Sequence, residues 1–198
     1  MLVKVTFLGW LARKILIFNM EDNSINIPNI LTISRVFMVP FFVFLLNANF
    51  NIWALVIFIL ASITDAIDGF VARKYNLITN FGKFLDPLAD KVLTISAFVC
   101  FLKLNITNVW VVLIIITREF LVMFIRLMAM QNKIVLAANL WGKIKTISQM
   151  VACIFSMLYL ISPVIFLKYI YEILIYISVL FTILSGGIYL YSNKKLFE

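Results

Sequence analysis

The chain contains no histidine and only two cysteines, Cys100 and Cys153. The first absence removes catalytic triads with a histidine base, histidine-ligated metal sites and histidine proton relays. The second removes a thiolate metal cage, and because both cysteines sit in apolar runs they are expected to be buried, unpaired packing residues. Charge is also scarce, at 13% of the 198 residues against 64% hydrophobic. That leaves too little polar surface to clothe a soluble globule. The sequence has no Walker loop, dinucleotide fingerprint, internal repeat or low-complexity tract.

Hydrocarbon in long runs takes the place of all this. Mean hydropathy is +1.09, and the runs approach the roughly 20 residues a helix needs to cross a bilayer core, without the alternation of a barrel. The sequence therefore predicts an all-α, polytopic membrane protein with six transmembrane helices, at roughly 33–50, 52–73, 84–102, 109–130, 144–162 and 170–191. Residues 26–198 form the membrane domain, and residues 1–25 a separate juxtamembrane segment. Leu2 to Phe18 is apolar but broken by Lys4, Arg13 and Lys14, so no uncharged run is long enough to span, and no small-residue cleavage site follows. An amphipathic helix lying in the interface, with Phe7, Trp10 and Leu11 immersed, is expected there; a disordered leader is the alternative.

The 17 Lys and Arg set the orientation. Lys103 and Lys168 alone fall in the loops after the third and fifth spans, and the loop from Asn47 to Asn51 carries none. Arg35, Arg73, Lys74, Lys83, Arg126, Lys133, Lys143, Lys145, Lys194 and Lys195 all fall on the other side. By the positive-inside rule both termini are cytosolic, in keeping with an even number of spans. The net charge of +8 thus reads as topology and attraction to anionic lipid, with no nucleic-acid partner.

Four aspartates interrupt this hydrocarbon in a fixed pattern: Asp65-x-x-Asp68-Gly69-x-x-Ala72-Arg73, then Gly82-x-x-x-Asp86-x-x-x-Asp90. Carboxylates are costly in a bilayer, so four together imply a bound cation. On the second span Asp65 and Asp68 share a face one turn apart, with the small residues Gly69 and Ala72 beside them. On the third, Gly82, Asp86 and Asp90 step by four along one face. Hard oxygen donors select Mg²⁺ or Mn²⁺, and two such ions suit displacement at phosphorus. At about 1.5 Å per residue, Asp65 lies no more than about 14 Å from the cytosolic edge at Lys74.

This segment resembles, position for position, the signature of the CDP-alcohol phosphotransferase family, and the likeness covers roughly residues 26–191. The resemblance implies a homodimer in the bacterial inner (cytoplasmic) membrane with its active site facing the cytosol. It assigns Asp65, Asp68 and Asp86 to a pair of metal ions, and Asp90 to a metal ligand that is also the general base. Gly69, Ala72 and Gly82 are implied to allow close approach of the cytidine diphosphate, and Arg73 to meet its charge, with Thr79 touching the same head group. Asn26-Ile27-Pro28-Asn29-x-x-Thr32-x-x-Arg35 resembles the approach to the first span in the branch that makes phosphatidylglycerophosphate and cardiolipin. That places Asn29, Thr32 and Arg35 near the nucleotide or lipid phosphate; a helix cap and an interfacial arginine are the plainer reading. Pro87 is expected to kink or begin the third helix.

Arg118-Glu119-Phe120, Arg126 and the run Trp141-Gly142-Lys143-Ile144-Lys145-Thr146 are similar to the phosphatidylglycerophosphate-forming branch. Arg118 sits too deep in the fourth span to reach water, so it is expected to face a polar cavity with Glu119 or a substrate anion nearby. With Arg126, Lys143 and Lys145 it would receive an acceptor that carries its own phosphate. CDP-diacylglycerol as donor and glycerol 3-phosphate as acceptor are the expected substrates. Two readings stay open beside it: a cardiolipin synthase using phosphatidylglycerol as acceptor, and a divalent-cation transporter.

Overall fold

A computed structural model describes residues 27–74, 80–131 and 140–192, all as helices and their connecting turns. The helices are α1 (Ile27–Asn47), α2 (Asn51–Lys74), α3 (Asn80–Lys103), α4 (Val109–Gln131), α5 (Leu140–Ile161) and α6 (Ile165–Ser192). No strand occurs among the described residues. The segment expected to lie in the interface, 1–25, falls outside them.

Asparagine and proline set the turns. Asn49 and Asn105 take left-handed φ values of 63° and 56°, a conformation Asn tolerates better than most residues. Around each, two hydrogen bonds close the end of the preceding helix: Phe50 N to Leu45 O (2.9 Å) with Asn49 N to Leu46 O (3.3 Å), and Ile106 N to Phe101 O (2.9 Å) with Asn105 N to Leu102 O (3.2 Å). These are Schellman caps. The Asn108 side chain then accepts from Val111 N at 3.0 Å, capping α4. Pro163 lies two residues past the end of α5, beyond Ser162, where it cannot continue the helix.

Packing follows the apolar stripes. On α1, Thr32, Arg35, Val39, Phe42 and Leu46 are buried, at the alternating three- and four-residue spacing of one helix face. That face meets α2 and α3, while Phe37, Phe41 and Phe44 point outward at 65–68% exposure. Phe42, Phe58, Phe98, Phe101, Ile115 and Met157 fill the centre. α5 and α6 pack along each other, α6 also on α4, and α5 on α2 and α3. α3 therefore touches α1, α4 and α5, standing between one side of the bundle and the other.

At the end where α1 and α3 finish, Lys103 Nζ donates to Asn47 Oδ1 at 2.7 Å and Asn51 Nδ2 donates to Leu160 O at 2.9 Å. The opposite end collects the start of α1, the end of α2, the starts of α3 and α5, and the end of α6. Every sequence-predicted site residue in a described helix lies toward that second end or the middle of α4.

Two differences from the expected boundaries stand out. α1, α3, α5 and α6 begin four to six residues earlier than 33, 84, 144 and 170, because each helix takes in a first turn of mixed sequence in which a polar or charged residue, Asn29, Lys83, Lys143 or Lys168, interrupts the apolar run. α3 starts at Asn80, so Pro87 does not begin it. Among the described residues two helices, α5 and α6, are long and apolar enough to cross a membrane, with shorter apolar stretches at Thr32–Asn47 and Asn51–Thr64. α4 is 23 residues long but is interrupted by Arg118, Glu119 and Arg126.

Candidate active site

The two halves of the aspartate pattern fall on two continuous helices. Asp65, Asp68, Gly69, Ala72 and Arg73 occupy the closing turns of α2, and Gly82, Asp86 and Asp90 the opening turns of α3. Helical backbone at these positions puts Asp65 with Asp68, and Asp86 with Asp90, one turn apart in register. The side chains of these residues and of Asn29 lie outside the described residues, as does Thr79 altogether. α1 packs on both helices. Its Thr32 and Arg35 are 0% and 1% exposed, so Arg35 is withdrawn into the bundle and does not snorkel to the interface.

On the other side of α3 lies a cavity of about 550 Å³, bounded by α3, α4, α5 and α6. Among the described residues its wall carries five cations, Lys91, Arg118, Arg126, Lys143 and Lys145, and one carboxylate, Glu119. Thr94 lines it too, four residues after Asp90 on α3 and therefore on neighbouring register.

Glu119 is the hub. It is 4% exposed, and its Oε1 takes an ion pair from Lys145 Nζ. Arg118 Nη1 approaches the same oxygen at 3.4 Å, and Lys91 Nζ lies 3.9 Å from Oε2. Neighbouring residues on a helix do not ordinarily face one another; Arg118 meets Glu119 because its long arm turns across the cavity toward α6. There Arg118 Nη2 donates to Ser185 Oγ at 2.9 Å. Gly186 makes the approach possible, since a Cβ at that position would sit 3.1 Å from Arg118 Cγ. Arg118 Nε is buried without a hydrogen-bond partner among the described residues, a donor that an anion's oxygen would satisfy.

A polar stripe on α6 supports the cavity floor. Ser178, Thr182 and Ser185 are buried; Thr182 accepts from Gln149 Nε2 at 3.1 Å and donates to Ser178 O at 2.6 Å. Buried hydroxyls on an apolar helix are tolerated because each bonds to the preceding turn.

The structure thus brings Arg118, Arg126, Lys143 and Lys145 to one cavity, as the charge pattern predicts, but gives them different characters. Lys145 is 4% exposed, while Lys143 and Arg126 are exposed on the cavity rim. Sequence reasoning missed Lys91, Ser185 and Gln149 as cavity residues; it expected Glu119 beside Arg118 at a polar cavity, which the structure shows, but not as the partner of Lys145 and Lys91. Glu119 carried a usable signal as the one acidic residue within α4; Lys91 was hidden by its place beside Asp90 in a run of positive-inside lysines.

The sequence model of CDP-alcohol phosphatidyltransferases matches residues 25–184. A Bacillus subtilis (strain 168) protein named CDP-diacylglycerol–glycerol-3-phosphate 3-phosphatidyltransferase is 37% identical over 183 residues, covering 85% of this chain and 95% of its own. Proteins of the same name from Rickettsia felis and Rickettsia bellii are 38% and 39% identical over 178 residues, covering 87% of this chain and 97% of theirs. The match spans all six helices almost to the end of α6 and takes in both the aspartate-bearing turns and the cationic cavity: the chain belongs to the CDP-alcohol phosphatidyltransferase family.

Proposed function

We propose that this protein transfers a phosphatidyl group from CDP-diacylglycerol to glycerol 3-phosphate, giving phosphatidylglycerophosphate and CMP. The names of its relatives support the reaction, and one structural observation favours the acceptor. Among the described residues Arg118 and Lys145 share a single carboxylate, Glu119, and Arg126 and Lys143 stand at the cavity rim, which leaves these four cations with a positive excess. A phosphate monoester carries about −1.5 to −2 at neutral pH and would balance it. A phosphodiester such as phosphatidylglycerol carries one charge, and serine or choline brings no phosphate.

The aspartates supply only hard oxygen donors, two per helix at one-turn spacing on α2 and α3, a set that fits Mg²⁺ or Mn²⁺. Asp65, Asp68, Asp86 and Asp90 would hold two such ions. Once bound, these would neutralise the diphosphate and the charge developing on CMP. In the reaction Asp90 takes the proton from the acceptor hydroxyl. That oxygen bonds to the phosphorus bearing diacylglycerol, and the bond from this phosphorus to the CMP oxygen breaks. Thr32, Arg35, Asn29 and Arg73, with the gaps at Gly69, Ala72 and Gly82, hold the nucleotide on the α1–α2 side. Lys145, Arg118, Lys143 and Arg126 hold the acceptor phosphate on the other. α3, touching both sides, carries Asp86 and Asp90 between the two substrates.

The same reading places six spans in a bilayer, with the aspartate end cytosolic. Outward Phe37, Phe41, Trp53, Trp110, Phe124 and Tyr176 support it, because a monomer in water rarely exposes so much apolar surface. Toward the far end the described carboxylate is Glu172, paired with Lys168 at 4.0 Å, which argues against a cation path.

The test is CMP release by purified protein in detergent with CDP-diacylglycerol and Mg²⁺, offering glycerol 3-phosphate, phosphatidylglycerol, inositol phosphate or serine, with Asp90→Asn as blank. Dependence on glycerol 3-phosphate supports the proposal; dependence on phosphatidylglycerol moves the protein to cardiolipin synthesis.

A further inference from the structure

We propose that Glu119 is the positioning residue of the acceptor pocket, a built-in anion that gathers Lys145, Arg118 and Lys91 into one wall before any substrate arrives. The inference rests on the acceptor reading above and deepens it.

Three observations carry it. Glu119 is the carboxylate at which cations from three helices converge: Lys91 from α3, Arg118 from α4 itself and Lys145 from α5. Lys145 and Glu119 are each 5% exposed at the side chain, so neither is held by solvent, and their contact fixes the start of α5 against the middle of α4. Both carboxylate oxygens face cations, Oε1 toward Lys145 and Arg118 and Oε2 toward Lys91, which leaves Glu119 poorly placed to take a proton from a substrate. Its work is done through its partners.

The physical reason such a residue is needed is repulsion. Cations aimed at one phosphate must stand close together while the pocket is empty, and in a weakly screened wall each pushes the others apart. Glu119 offsets part of this repulsion, and with Arg118 and Lys145 sharing its one negative charge that pair still leaves an excess to receive the substrate. Arg118 is braced from its other side by Ser185 Oγ and by its seat against Gly186. Among the described residues Lys145 pairs with Glu119, so loss of the carboxylate should release Lys145 first.

The experiment measures steady-state kinetics of CMP release for the full-length protein, Glu119→Gln, Lys145→Ala and the double variant, varying glycerol 3-phosphate and CDP-diacylglycerol separately. Glu119→Gln is expected to raise KM for glycerol 3-phosphate by about 10-fold or more, with kcat within about 3-fold and KM for CDP-diacylglycerol unchanged. If Glu119 acts through Lys145, the double variant should be little worse than Lys145→Ala alone. A fall in kcat at unchanged KM, fully multiplicative effects in the double variant, or a parent-like Glu119→Gln would each overturn the proposal. Should Glu119→Gln fail to fold, Glu119→Asp keeps the charge but draws it back by one methylene. The same KM-selective loss, smaller in size, is then expected, and a kcat-selective loss would refute it. A parent enzyme indifferent to glycerol 3-phosphate would instead refute the acceptor reading, independently of any Glu119 variant.

Discussion

Lys145, in the second turn of α5, lays its ammonium on the carboxylate of Glu119 in the middle of α4, and both side chains are nearly closed to solvent. Two consecutive helices are thereby locked at the level of the candidate acceptor pocket. Removing one partner of a buried ion pair typically costs about 3–5 kcal/mol, because the other charge is left stranded, whereas replacing both by apolar residues is often close to neutral.

Stability and binding should therefore separate. Lys145→Met is expected to lower the melting temperature in detergent clearly. Adding Glu119→Leu should recover only part of that loss, because Arg118 and Lys91 then lose the carboxylate they share, while leaving the KM for glycerol 3-phosphate high. Recovery of both together would mean that the pair is structural only.

Gly186 and Gly187 offer a matched comparison. A Cβ at 186 would press on Arg118 Cγ at 3.1 Å, whereas one at 187 meets nothing within 4 Å. Gly187→Ala should be neutral or stabilising by up to about 1 kcal/mol, from the helix propensity gained. Gly186→Ala should shift the Arg118 arm and raise the KM for glycerol 3-phosphate several-fold. Equal kinetics for the two variants would show that the seat of Arg118 does not matter.

Asp90→Asn keeps size and polarity but removes the base. CMP release should fall by about 10²–10⁴-fold while the protein still inserts and elutes as the parent does in size-exclusion chromatography. Near-normal turnover would remove the general-base assignment.

Chelation by EDTA should abolish CMP release, and Mg²⁺ or Mn²⁺ should restore it, since the four aspartates offer only hard oxygen donors. Activity that survives exhaustive chelation would reject the metal reading of Asp65, Asp68, Asp86 and Asp90.

Lys103 and Lys143 are both exposed and lie at opposite ends of the bundle. In spheroplasts an impermeant maleimide should label Lys103→Cys from outside and Lys143→Cys only after the membrane is opened. The native Cys100 and Cys153 are buried and should stay silent. The reverse pattern would invert the proposed orientation.

The helical class, the succession of six helices and the residues that make the family recognisable were legible in the sequence, because they depend on local quantities. Run length and composition decide which segments are helical and apolar, and a spacing of three or four residues decides which positions share a face. The structure adds that Asn49, Asn105 and Asn108 cap the helix ends by their own backbone and side-chain chemistry. Boundaries were less legible, since the first turns of α1, α3, α5 and α6 are of mixed sequence, with Asn29, Lys83, Lys143 and Lys168 interrupting the apolar run. The cationic residues of the fourth and fifth helices were also readable as a group, from the cost of charge in hydrocarbon. What only tertiary structure decided was how they divide: Lys145 buried on Glu119, Lys143 left at the rim, Arg118 reaching across to Ser185, and Lys91 drawn in from α3. Helix periodicity fixes neighbours along one helix, but an ion cluster shared by α3, α4 and α5 depends on how those helices pack, which no local pattern encodes.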